Sequence, residues 1–355
     1  MKTKIALLAV VSLALCCYAC DNTGSGSSSG TVTPANVSGG TKAPAAKGQD
    51  APQTTRQFPD ISIPSVYGAN TPEAREYVLQ HYWDAFFKGD WNTTHDMVLG
   101  VTDAAFEQAL ANYIQILQAM KLQATPDDME PFRQARNSVK RLFTQLETHQ
   151  LADTSAKTYL RVTETVSKYL YDPNSPLRDE DLYLPFVEGM VASACTRENM
   201  RNAYRFEASQ CRTNGFGQTV PDFSYKDARG NKSSLNAVRA EYTLLFFSNP
   251  GCTSCKEIIN DIGACGCIHP MIAAGRLAIV NIYIDEEVQK WREYLHNYPK
   301  DWINGYDYTF SLRDSGKFDI RAIPSLYLLD SRKRVIMKDA PTANVLSYLE
   351  NIYNQ

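Results

Sequence analysis

Tyr242-Thr-Leu-Leu-Phe-Phe247, then Ser248-Asn-Pro-Gly251, then Cys252-Thr-Ser-Cys255-Lys-Glu-Ile-Ile259, is the stretch on which the reading of this chain turns. A continuous apolar run of six residues predicts a strand buried on both faces. Asn, Pro and Gly then break the strand, and the apolar spacing that follows opens a helix with the two cysteines three apart across its first turn. Working outward, Leu277–Ile284 is a second buried run. A helix from Glu286 carries Val288, Trp291 and Leu295 on one side. Ser325–Leu329 and Arg334–Met337 read as two strands about a polar turn at Asp330–Lys333, and a last helix sets Val345, Leu349 and Ile352 inward. The predicted order is β-α-β-α-β-β-α. Parallel strands need helical crossovers, whereas the final pair closes as an antiparallel hairpin.

Cysteines so placed suit thiol–disulfide exchange, which needs an accessible thiolate and a second thiol close enough to resolve a mixed disulfide. At a helix N-terminus, unpaired backbone N–H groups and the helix dipole favour negative charge. Cys252 is therefore the expected nucleophile, with a pKa below the free value of about 8.5. Cys255, one turn inward, is the expected resolving thiol. Lys256 either supports the thiolate or is a solvated surface lysine.

The strand–Cys252-x-x-Cys255–helix unit and, about seventy residues on, Ala322-Ile323-Pro324-Ser325 leading into a strand together resemble the thioredoxin superfamily, in particular its TlpA-like branch of exported thiol–disulfide oxidoreductases. The resemblance covers roughly residues 217–355. It implies a cis-proline at Pro324, a substrate-binding role for the backbone at Ile323 and Pro324, and protein thiols or disulfides as substrates. It also tilts the direction toward a reductant fed by a membrane redox partner. Two positions depart from the family. Phe246 stands where many thioredoxins carry a buried acid, and Gly251 where tryptophan commonly precedes the first cysteine. Glu257 is either a substitute base or a helix-surface glutamate.

Toward the other end, Lys2 and Lys4 precede an apolar run, Ile5–Leu15, too short to span a bilayer, which needs about 20 such residues. It reads as a signal peptide over residues 1–19. Ala19-Cys20 resembles a bacterial lipobox, although Cys17 replaces the usual aliphatic residue; the resemblance implies acylation of Cys20. Each buried acyl CH₂ contributes about 0.8 kcal/mol of membrane affinity. Residues 20–57 are mostly Gly, Ser, Thr, Pro, Ala and Asn, and are expected to form a disordered tether reaching roughly 30–40 Å. The expected location is the cell envelope, in the periplasmic space at the outer membrane. Six cysteines then remain, Cys195, Cys211, Cys252, Cys255, Cys265 and Cys267, an even number that fits export.

Residues 58–212 read as a helical bundle of five or six helices. Thr71-Pro72-Glu73 is a helix start with Thr as N-cap and Pro at the first position. Beyond it Tyr77, His81, Ala85 and Phe86 share a face. Phe106, Leu110, Tyr113, Ile114 and Leu117 recur at helical spacing, and further amphipathic stretches run near 126–149, 154–170, 179–193 and 197–210. The aromatics there are expected to be core, and His81 and His95 do not share a metal-binding spacing. No reaction is legible in this region; the whole architecture, a helical domain followed by the thioredoxin-like module in a lipoprotein, resembles a group of gram-negative lipoproteins whose helical domain has no assigned role.

The fold class expected is α+β with two domains, an N-terminal helical bundle (58–212) followed by a C-terminal α/β thioredoxin-like domain (217–355). With 36 basic and 39 acidic residues and a net charge of −3, nothing advertises a nucleic-acid partner. No cofactor or metal is expected. Two other readings stand beside the oxidoreductase: a scaffold lipoprotein whose disulfide is only structural, and a zinc site built from Cys252, Cys255, Cys265, Cys267 and His269. Peroxidase chemistry fits less well, since Asn249 stands three residues before Cys252 where that chemistry favours threonine. Cys265-Gly-Cys267 should lie near the end of the Cys255 helix, roughly 15 Å from it by helical rise. It is equally a second redox pair or a structural partner of Cys195 or Cys211; those two bracket a helix and either bridge or stay independent.

Overall fold

The computed structural model describes residues 55–67, 71–314 and 316–355. The expected signal peptide, Cys20 and residues 20–54 of the expected tether lie outside them. Pro52–Gln355 form one compact unit. Among the described residues, six helices come first: α1 (Pro72–His81), α2 (Asp103–Gln123), α3 (Glu130–Ala152), α4 (Thr158–Leu170), α5 (Glu180–Ala192) and α6 (Glu198–Arg212). A short hairpin of β1 (Met97–Val98) and β2 (Val101–Thr102) leads into α2. Thr71 caps α1, its hydroxyl accepting the Ala74 N–H at 3.1 Å. The helix stops at His81 instead of continuing through Ala85 and Phe86, which lie in turns; Phe86 is nevertheless buried. The α2 positions picked out by spacing, Phe106, Leu110, Tyr113, Ile114 and Leu117, are all in the core.

One sequence expectation needs correcting at this end. Arg56 falls inside the stretch expected to be a free tether, yet it is anchored. Its guanidinium donates to the Leu99 and Phe86 carbonyls at 2.7 and 2.6 Å and lies 4.8 Å from the Trp91 ring. Phe58 packs on Tyr82, Trp83 and Phe86. One arginine that satisfies two loop carbonyls holds this part of the chain, a role its polar composition does not reveal.

Then comes a sheet, seven-stranded among the described residues, in the order β4-β3-β7-β6-β5-β8-β9. Its strands are β3 (Ser224–Asp227), β4 (Lys232–Ser234), β5 (Tyr242–Phe247), β6 (Leu277–Tyr283), β7 (Ile303–Tyr306), β8 (Ser325–Asp330) and β9 (Val335–Lys338). Helices α7 (Thr253–Ala264) and α8 (Ile268–Ala273) join β5 to β6. Beyond β6 lie α9 (Val288–Tyr294), α10 (Ser311–Asp314) and α11 (Thr342–Tyr353). The pairs β5–β6 and β6–β7 are parallel, while β5–β8 and β8–β9 are antiparallel. Three strands, β3, β4 and β7, extend the edge beyond the predicted order.

The apolar run of β5 is buried on both faces, as side-chain alternation requires. Leu244 and Phe246 enter a core shared with Cys255, Leu277, Val345 and Leu349. Leu245 and Phe247 enter the opposite one, with Val280, Ile282 and Phe318. Helices and sheet are joined by main chain as well. Gly217 N–H donates to the Val335 carbonyl, and Val335 N–H returns a bond to Gln218, both at 2.8 Å. Among the described residues no helix is long and apolar enough to cross a membrane.

Candidate active site

Strand pairing assembles the site. In the antiparallel register of β5 and β8, Phe247 faces Ser325. The loop leaving β5 toward Cys252 and the loop entering β8 from Pro324 thus project from the same end of the sheet. Ligand sites of open α/β sheets gather at such strand ends. The Ile323–Pro324 peptide is cis, and Ile323 is half-buried against both cores.

Gly251 takes φ +74°, a conformation other residues rarely adopt. A Cβ there would meet nothing within 4 Å, so backbone conformation, not crowding, opposes a tryptophan at this position. Cys252 is the N-cap of α7, and its Sγ accepts the Cys255 N–H at 3.1 Å. One of the orphan donors of the helix start therefore points at this sulfur. Cys252 and Cys255 form a disulfide with Cα atoms 5.2 Å apart. Cys252 is half-buried, whereas Cys255 is 2% exposed. Of the two residues, Cys252 keeps surface open to solvent, whereas Cys255 is closed off.

Around the pair, Phe246 is fully buried edge-on to Trp302, so no acid lies beneath the cysteines at that position. Glu257 and Lys256 are exposed on α7, and Glu257 is not a buried base. Sequence reasoning missed a polar ladder leading away from the site. Ser248 Oγ donates to Asn281 Oδ1 at 2.5 Å, and Asn281 Nδ2 donates to Asn304 Oδ1 at 2.9 Å. Tyr298 lies 3.3 Å from Ser248, and burial raises its phenol pKa. Asn249 Nδ2 donates to Asp285 at 2.7 Å. A signal existed: Asn281 is the one polar residue in the run Leu277–Ile284, and a buried amide in such a strand must find partners.

Among the described residues, the other four cysteines, Cys195, Cys211, Cys265 and Cys267, are free. Cys195 and Cys211 are not bridged to each other, and Cys211 is buried in the helical core. Cys265 caps the C-terminal end of α7 and Cys267 precedes α8, with their sulfurs 3.0 Å apart and buried. Burial, then the hydrogen bond and charge of Cys265, push Cys267 up to about 12. The five candidate zinc ligands do not converge: α7 separates the two cysteine pairs, and His269 Nδ1 is 2.9 Å from Asp301. Among the described residues, no group of three or more His, Cys, Asp or Glu side chains is placed to hold a metal ion.

A sheet of this topology, with a cysteine pair at the start of the helix after a central strand and a cis-proline beside it, defines a thioredoxin-like protein. By its sequence over residues 27–214, the chain belongs to the family described as Domain of unknown function (DUF5106). It is similar to a thioredoxin-like protein from Bacteroides caccae ATCC 43185, whose crystal structure matches with a TM-score of 0.68 at 32% identity. That match covers 84% of this chain and 99% of that one. The C-terminal domain of an uncharacterized protein from Bacteroides fragilis NCTC 9343 is 40% identical over 39% of this chain and 99% of its own, with a TM-score of 0.38. The thioredoxin domain of a thiol-disulfide oxidoreductase from Bacteroides vulgatus is 19% identical over 39% of this chain and 99% of its own, with a TM-score of 0.35. No curated protein matches the chain.

Proposed function

We propose that this protein is an exported thiol–disulfide oxidoreductase of the TlpA-like kind, exchanging disulfides with protein substrates through Cys252 and Cys255. The observation that carries the reading is the half-buried Cys252 at the tip of α7, its Sγ accepting the Cys255 N–H at 3.1 Å, with the cis Ile323–Pro324 peptide at the same sheet end. In the reducing direction, the Cys252 thiolate attacks one sulfur of a substrate disulfide. A mixed disulfide forms, and the departing substrate sulfur takes a proton. Cys255 then gives up its proton and attacks the Cys252 sulfur, releasing the second substrate thiol. Two electrons have moved to the substrate, and the Cys252–Cys255 disulfide remains, the form present in this structure. A membrane redox partner would restore the dithiol. The backbone at Ile323 and Pro324 would hold the substrate's extended segment.

In this reading residues 58–212 are a helical domain and 217–355 the thioredoxin-like domain. The leader over 1–19 is removed, and acylated Cys20 anchors the protein at the outer membrane facing the periplasmic space. Insulin reduction with dithiothreitol is the direct test. Wild type should accelerate it, Cys252→Ser should not, and Cys255→Ser should accumulate a mixed disulfide with substrate. A wild type no faster than Cys252→Ser would make the protein a scaffold with a structural disulfide.

A further inference from the structure

The segment from Lys317 to Ile323 enters the cis-proline without helix or strand of its own, so no ladder of backbone bonds holds it. Its alternate residues are instead held from the helical side. The Lys317 carbonyl accepts Asn214 Nδ2 at 2.7 Å. Asp319 Oδ1 accepts Gln210 Nε2 at 2.8 Å. Arg321, two residues before Ile323, makes the strongest attachment. Its guanidinium is 2.7 Å from Glu180 Oε1, donates to the Tyr171 carbonyl at 2.9 Å and lies 4.3 Å from the Tyr171 ring centroid. Glu180 is 3% exposed, and its other oxygen is 2.5 Å from Lys338 Nζ.

Burying these charges is costly unless the geometry is good, and an apolar contact would often serve stability as well. What this cluster adds is position. The bond to the Tyr171 carbonyl, the Tyr171 ring, and the Glu180 and Asp339 carboxylates at 2.7 and 3.6 Å together fix where the Arg321 side chain sits and hence where the chain enters Pro324. We infer that Arg321, held by Glu180 and Tyr171, is a positioning residue that sets the Ile323–Pro324 segment for a protein substrate, and that this is a task of the helices preceding the sheet. The inference rests on the exchange chemistry proposed above. A small disulfide needs only the Cys252 sulfur, whereas an extended peptide also needs the backbone beside Pro324, so the two classes of substrate should respond differently.

The test compares wild type with Arg321→Lys and with Tyr171→Leu, the second leaving every ion pair in place and serving if the first folds poorly. Three quantities are measured: kcat/KM for insulin, the rate at which a small aromatic disulfide oxidises the reduced protein, and the Cys252/Cys255 reduction potential. Insulin kcat/KM should fall tenfold or more, mainly through KM, with the small-disulfide rate within twofold and the potential unchanged. Variants equal to wild type with insulin, or slowed equally with both substrates, would overturn the positioning role while leaving the exchange reading intact. A wild type inert toward both substrates would overturn both.

Discussion

Replacing Lys338 with methionine should destabilise the protein far more than any exposed lysine change. The Lys338 side chain is 1% exposed, its Nζ is 2.5 Å from Glu180, and it also donates to the Gln210 carbonyl at 2.8 Å. Methionine fills much of the same space but, among the described residues, leaves Glu180 with Arg321 as its only cation within 4 Å, takes away the cation 3.9 Å from Asp319, and leaves the Gln210 carbonyl without this donor. Removing one partner of a buried pair costs about 3–5 kcal/mol when the other charge is left unpaired; Arg321 stays on Glu180, which sets the expectation at the low end, about 3 kcal/mol. With a urea m-value of about 3 kcal/mol/M, the midpoint should drop by about 1 M. Lys290 is the control. Its Nζ is 2.7 Å from Glu287, a similar distance, but the two side chains are 61% and 68% exposed. Such a pair contributes about 0–1 kcal/mol, so Lys290→Met should move the midpoint by less than about 0.3 M. Equilibrium urea unfolding followed by tryptophan fluorescence measures both. A Lys338→Met midpoint no lower than that of Lys290→Met would refute the argument that burial, not distance, sets the worth of these pairs.

Three further outcomes are expected. Burial alone would raise the Asp84 carboxyl, but bonds from His81, Gln145 and Arg141 outweigh it and hold its pKa below the ordinary value. Its contribution is therefore present above about pH 4 and lost as pH falls through the lowered folded value. Asp84→Asn should cost about 0.5–1.5 kcal/mol at pH 7, with the difference closing in acid, as read by urea unfolding at several pH values. At pH 8, with burial and the neighbouring Cys265 raising the Cys267 thiol, its alkylation by iodoacetamide should run at least about tenfold slower than that of free cysteine. Peptide mapping of the labelled cysteines follows this, and labelling should quicken as pH rises. A Cβ at Gly189 would meet the Phe143 ring at 2.5 Å, and that ring is wedged edge-on against Phe186. Gly189→Ala should lower stability by about 1–3 kcal/mol in thermal or urea unfolding.

The central strands and their helices were legible because each carries a long, nearly uniform pattern: the six residues of β5, apolar but for Thr243, the seven of Leu277–Tyr283 with a single asparagine, and the repeats of α2. The edge was not. Ile303-Asn-Gly-Tyr306 is short and half polar, and it becomes β7 only through its neighbours. Gly305 is needed there because a Cβ would lie 2.6 Å from the Tyr225 ring. Ser224–Asp227 and Lys232–Ser234 are held by pairing, not propensity, and their sequences look like loop. At the site, Cys252, Cys255 and Pro324 stood out through residue type and order. The Ser248–Asn281–Asn304 ladder did not, because it joins positions far apart in the chain. Arg321 was equally invisible, for its partners Glu180 and Tyr171 lie well over a hundred residues away.

The pairing of Phe247 with Ser325 has a bearing on how this protein tolerates change. The strand that ends in the reactive loop and the strand that begins after Pro324 are locked side by side by a register that also decides which residues of each face which core. Sliding one by a single position would turn Leu326 and Leu328 out of their core, so sulfur and proline share one rigid mount. Freedom to alter what the protein meets therefore lies outside that mount, in the chain approaching Pro324 and the helices gripping it. Under the proposed exchange chemistry, recognition would drift there while the β5–β8 register stays fixed.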